Sequence, residues 1–118
     1  MKGKKLILGA GQYWPKESYN WLVDIIKFDN IDQVFDLNNS MWPWEDNTFI
    51  HINASHVVEH LKDLTAFMNE CHRILMPGGT LYIETPAAGE GGPRRVHATV
   101  VTRTTVTRAS RPRPVRDG

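Results

Sequence analysis

"TFIHINASHVVEHL", residues 48–61, decides the fold, because its two halves follow different periods. Thr48 to Ser55 is rich in β-branched and aromatic residues, the composition of a strand. From Val57 onward the apolar positions Val57, Leu61, Leu64, Met68, Cys71 and Leu75 are spaced by four, three, four, three and four. That spacing predicts one face of a helix. Asp63 is a candidate N-cap, so a break near Lys62 is expected. The stretch also raises a metal question. His56, Glu59 and His60 fit H-x-x-E-H, in which two histidines one helical turn apart hold zinc and the glutamate acts as base. The other reading is a strand-to-helix turn, and the flanking sequence has to separate the two.

On the N-terminal side three more apolar runs read as strands: "KKLIL" (4–8), "NWLVDII" (20–26) and "QVFDL" (33–37). The first ends in "GAG", a tight glycine turn, and the next two end near the acids Asp24 and Asp36. On the C-terminal side "MPGG" (76–79) stops the helix, and "TLYIET" (80–85) is a fifth strand closed by Pro86. Strands of mostly apolar content separated by a helix predict an α/β domain with a parallel sheet. Ligands of such sheets bind at the carboxyl ends of the strands. "GAG", Asp24, Asp36 and "NASH" all fall there.

At 118 residues with 41% hydrophobic content, the chain suits one globular domain with one core. No apolar run approaches the roughly 18 residues of a membrane span. The single cysteine, Cys71, leaves no internal disulfide and no Cys-pair zinc site, and a cytoplasmic location is expected. The net charge of +1 hides an abrupt change: residues 1–93 carry seven basic and twelve acidic side chains, and residues 94–118 carry seven arginines against Asp117 alone. All six lysines and all eleven aromatic residues precede residue 94. Residues 1–86 are therefore read as the domain and 87–118 as an Arg/Thr/Pro-rich, disordered tail, of which 94–118 contributes nothing to the core.

The order of motifs resembles the class I S-adenosylmethionine-dependent methyltransferases. The resemblance rests on "LGAG" (8–11), "VFDLN" (34–38), "WPWEDNTF" (42–49), "ASHVVEHL" (54–61), "HRILMPGG" (72–79) and "LYIETP" (81–86). It implies a Rossmann-like parallel sheet that is truncated after the fifth strand, S-adenosylmethionine as cofactor, and a small-molecule methyl acceptor. By the same resemblance Gly9, Ala10 and Gly11 turn under the methionine half of the cofactor, Asp24 accepts from the ribose hydroxyls, and Asp36 accepts from the adenine amino group beside the Leu37 backbone. Asn53, Ala54 and Ser55 border the methionine end, and His56 faces the methyl group as a general base. Each has a plainer reading: a simple turn for the glycines, solvated acids for the aspartates, backbone capping for His56.

The sequence departs from the family in several places. Ile7 stands where an acid is usual, and Trp14 replaces a third glycine of the dinucleotide type. Only twelve residues, Pro15 among them, separate Gly11 from Asp24, so the first crossover helix is expected to be very short or absent. Residues 87–118 do not resemble the family's C-terminal half, which leaves catalysis by this chain open. No metal is expected at His56 and His60, because Glu70 and His72 lie too far along the helix to complete a site. Two other functions stay in view: a non-catalytic module binding S-adenosylmethionine or a nucleotide, and nucleic-acid binding through the arginine-rich tail.

Overall fold

The computed structural model describes residues 2–87 and 94–101. The apolar runs form strands β1 (Lys4–Leu8), β2 (Asn20–Asp24), β3 (Gln33–Val34), β4 (Phe49–Ser55) and β5 (Leu75–Ala87). A 3-10 turn (Val58–His60) and one helix, α1 (Leu64–Ile74), join β4 to β5. With β6 at Arg94–Val101, the sheet order is β3-β2-β1-β4-β5-β6, and the first five strands are parallel throughout. This is the expected α/β architecture, and the parallel part ends at β5.

Register explains the core. Leu6 lies beside both Trp21 and Ile52, Leu8 beside Val23 and Ala54, and Ile52 beside Leu81. These side chains share one sheet face, over which α1 buries Phe67, Cys71 and Ile74. Burying an apolar side chain of this size contributes about 1.5–3 kcal/mol. Trp42 and Trp44, from the expected "WPWEDNTF" block, close the same core with edge-to-face contacts: Trp42 to Phe67 at 5.5 Å, and Trp44 to Phe35 at 5.4 Å. Burial, and then the Glu70 carboxylate, push the Cys71 thiol well above its ordinary range, so it packs as a small hydrophobe.

Of the expected apolar face, Val57, Cys71 and Leu75 are buried and Leu61 and Met68 pack against the core, while Leu64 departs from it. Leu64 is 52% exposed, and the buried set is Phe67, Cys71 and Ile74. Leu61 and Asp63 are extended, so the periodic count restarts at Leu64. The break itself falls where Asp63 predicts it: Asp63 Oδ1 accepts from Ala66 N at 3.0 Å. At "MPGG" the pairing slips. Between Phe49↔Leu75 and His51↔Thr80, β4 advances two residues (51 − 49) and β5 five (80 − 75), with Gly78 at φ +83.

Among the described residues, only the β4-to-β5 connection contains an α-helix. The first crossover lacks one, as the short gap and Pro15 predict. The second sheet face is covered instead by connecting segments at β1 and β2, where Ile7, Leu22 and Ile31 pack with Ala10, Trp14 and Phe28. On β4 and β5 that face carries His51, Asn53, Thr80, Tyr82 and Glu84 in matched register.

The tail expectation needs correction in one segment. Arg94–Val101 forms β6, antiparallel to β5 from Ala87↔Arg94 to Thr80↔Val101. The outer edge of β5 offers a row of backbone donors and acceptors, and a partner strand satisfies them. Residues 88–93 and 102–118 lie outside the described residues. No helix among the described residues is long and apolar enough to cross a membrane.

Candidate functional site

The carboxyl ends of β1, β2, β3 and β4 surround one cleft of about 290 Å³. Gly9, the first residue after β1, has φ +66, and a β-carbon there would lie 2.7 Å from Val57 Cγ2. Only glycine lets the β1 turn approach the exit of β4 so closely. Gly11 also has positive φ (+73), but a β-carbon there would meet nothing within 4 Å. Its N–H donates to Asp24 Oδ2 at 2.8 Å, while Ala10 N–H donates to Val23 O at 3.0 Å. The glycine turn is thereby tied to the end of β2.

Asp24 is held on its other oxygen too, since Oδ1 accepts from Ile26 N at 3.0 Å. An ionised carboxylate offers about four lone-pair positions, so both oxygens keep acceptor capacity toward the cleft. Asp36 Oδ1 accepts from Asn38 N at 2.9 Å, an Asx turn that leaves the acid exposed at the rim. Leu37 is half-buried, with its side chain against the core and its carbonyl accepting from Trp42 Nε1 at 3.4 Å.

His56 sits at the turn out of β4 with φ +58, a conformation uncommon for a residue with a side chain. Its N–H donates to Glu84 O at 2.6 Å, which pins the turn to β5. His56 lines the cleft, as does His60. The two are not one turn apart on an α-helix, because His56 precedes the 3-10 turn that contains His60. The H-x-x-E-H zinc geometry is therefore not formed. Among the described residues no group of three or more His, Cys, Asp or Glu side chains is placed to hold a metal.

Of the residues singled out in the sequence, Gly9, Asp24, Asp36, Leu37 and His56 converge on this cleft. Ala10 and Gly11 belong to the same turn as Gly9 but do not line the cleft. Ala54 is fully buried in the core, and Asn53 lines a separate cleft of about 220 Å³ beside Lys5 and His51 on the second face. Ser55 turns inward along the chain, its Oγ donating to Asn53 Oδ1 at 2.9 Å. Besides the polar Asn38, the remaining walls are apolar: Val23, Ile25, Phe35, Val57 and Leu61. Ile25 and Phe35 directly follow β2 and β3, whereas Val57 and Leu61 carry the apolar spacing that begins after β4.

Comparison with known proteins gives a consistent pattern. A family profile described as "Methyltransferase domain" matches residues 23–83. Demethylmenaquinone methyltransferase of Chlorobaculum tepidum is 37% identical over 60 residues, 51% of this chain and 24% of that protein. The mitochondrial ubiquinone biosynthesis O-methyltransferase of Homo sapiens is 50% identical over 38 residues, 32% of this chain and 10% of that protein. The chain thus spans 24% and 10% of the length of these two curated relatives. Among solved structures, an S-adenosylmethionine-dependent methyltransferase from Mesorhizobium loti superposes with a TM-score of 0.58 at 18% identity, covering 88% of this chain and 62% of that one. That likeness extends to the fold.

Proposed function

Because the chain belongs to the methyltransferase domain family, we propose that its cleft binds S-adenosylmethionine and that His56 serves methyl transfer to a small-molecule acceptor. One observation carries this reading: Gly9, Asp24, Asp36 and His56, each at or just beyond the end of a different strand, meet around a single cleft.

The residues present fit that cofactor. The glycine at position 9 keeps the turn clear of Val57, as a ligand passing over the backbone requires. Asp24 and Asp36 supply acceptors for hydroxyl and amino donors, and Phe35 and Leu37 supply apolar walls between them. When bound, the cofactor supplies an electrophilic methyl carbon on a sulfonium sulfur, open to in-line displacement. The protein's part is then mostly orientation. His56 accepts the proton of a hydroxyl or amine acceptor, and the backbone bond from His56 N–H to Glu84 O fixes where its side chain starts. A cytoplasmic setting accords with the buried, unpaired thiol of Cys71.

Calorimetry with S-adenosylmethionine and S-adenosylhomocysteine tests the proposal. Both are expected to bind, and Asp24→Ala is expected to weaken binding by about 1.5–3 kcal/mol through lost charge-assisted hydrogen bonds. Absence of binding to either ligand by the parent chain would overturn it. Binding without methylation of any hydroxyl or amine acceptor would favour a non-catalytic binding module instead.

A further inference from the structure

The glycine turn after β1 has no helix behind it. In a dinucleotide-type unit, the helix that begins at the turn fixes the loop and its backbone amides. Here residues 9–19 contain no helix, so another device must hold Gly11. Asn30 provides it. Its Nδ2 donates to Gly11 O at 3.0 Å and to Trp14 O at 2.9 Å, across 19 and 16 residues of sequence.

Three observations give this contact a purpose. Gly11 is held on both sides, with its N–H bound by Asp24 and its carbonyl by Asn30. The base of the grip is itself fixed to β2: Asp32 N–H donates to Leu22 O at 2.9 Å, and Leu22 N–H donates to Asp32 Oδ2 at 2.8 Å. Finally, Asn30 Oδ1 is buried with no hydrogen-bond partner among the described residues. A buried orphan acceptor is unfavourable. All of the hydrogen bonding that this amide makes among the described residues comes from its two donors.

We propose that Asn30 is a positioning residue that sets the glycine turn for ligand binding, in place of a crossover helix. The link to ligand binding rests on the cofactor reading above; the hold on Gly11 does not. Asn30→Asp keeps the shape and replaces the donor group with an acceptor facing two carbonyls. Asn30→Ala removes the side chain without adding charge and serves if the first variant fails to fold.

Two readouts on the full chain decide the matter. Native-state amide exchange of Gly11 is expected to rise about tenfold in either variant, the equivalent of one to two lost hydrogen bonds, while amides of β1 and β4 keep their parent rates. Calorimetry is expected to show S-adenosylhomocysteine binding weakened by a similar factor. Unchanged Gly11 exchange overturns the proposal. Uniform acceleration of all amides overturns it as well, since that is the signature of a purely structural residue. If Gly11 loosens and affinity holds, the positioning role is overturned and the cofactor reading stands. If the parent chain binds no S-adenosylhomocysteine, the cofactor reading and the ligand-positioning role fail together, and exchange alone still decides the hold on Gly11.

Discussion

Gly9 and Val57 face each other so closely that a β-carbon on Gly9 would fall 2.7 Å from Val57 Cγ2. Gly9→Ala should therefore meet both a positive φ (+66) and a collision, whereas Gly11→Ala at φ +73 meets only the first. A left-handed position costs a β-carbon about 1–2 kcal/mol. Thermal melting should show Gly9→Ala as the more destabilising of the two, by several degrees. Adding Val57→Ala to Gly9→Ala should cost less than Val57→Ala costs alone. A strictly additive double-mutant cycle would remove the collision from the account.

Arg73 joins α1 to the segment before β4. Its Nε and Nη2 donate to the two oxygens of Glu70 at 3.0 and 2.9 Å, its Nη1 donates to Asp46 at 2.8 Å, and Trp42 N–H donates to Glu70 Oε1 at 3.2 Å. The Arg73 hydrogen bond chiefly, helped by the Trp42 N–H, holds the Glu70 carboxyl below its ordinary value of 4.5. A carboxyl lowered in the folded state stabilises the fold above its unfolded pKa, and that stability is lost as pH falls through the folded pKa. Urea unfolding should show a decline below about pH 4.5. Arg73→Ala should lower stability at pH 7 by about 1 kcal/mol, given partial exposure of the pair, and flatten the acid decline.

Gln33 Oε1 accepts from Trp21 Nε1 at 2.9 Å and from Trp44 Nε1 at 3.0 Å. One side-chain oxygen thus pins the short strand β3 to β2 and to the aromatic core. Gln33→Met fills the space but leaves both indole N–H groups without that acceptor, at about 1 kcal/mol each. Gln33→Glu keeps the acceptor. Chemical denaturation should rank the parent chain and Gln33→Glu well above Gln33→Met, and equal midpoints would mean that solvent takes over both indoles.

The strands were legible because four apolar runs end at or near glycine, acid or proline signals and the remaining run, Thr48 to Ser55, is rich in β-branched and aromatic residues, and the absent first crossover helix was legible from the spacing around Pro15. Most of the apolar face from Val57 to Leu75 was legible too, with the break at Asp63, but Leu64 was not, because the extended Leu61 and Asp63 restart the helical count and bring Phe67 and Ile74 inward instead. Within the cleft, Gly9, Asp24, Asp36, Leu37 and His56 follow strand ends, where sequence order alone places them. Asn53 and Ala54 lie one residue apart on a strand and must face opposite sides, which sends one to the second face and the other into the core. Asn30 carried no signal, since its contact with Gly11 spans 19 residues and belongs to no motif.

Strand β6 was the least legible element, and it yields the sharpest test. Propensity alone does not fix "RRVHATVV" as a strand, because a strand exists only against a partner. That partner is β5, paired with β6 at eight consecutive positions from Thr80↔Val101 to Ala87↔Arg94. Removing residues 94–118 would leave the backbone groups along the outer edge of β5 exposed to water or to another chain. The shortened protein should melt at least about 4 °C lower, equivalent to roughly 1 kcal/mol in a domain of this size. It should also associate more readily as its concentration rises, visible by light scattering. An unchanged melting temperature would return residues 94–101 to the non-contributing tail that the composition suggests.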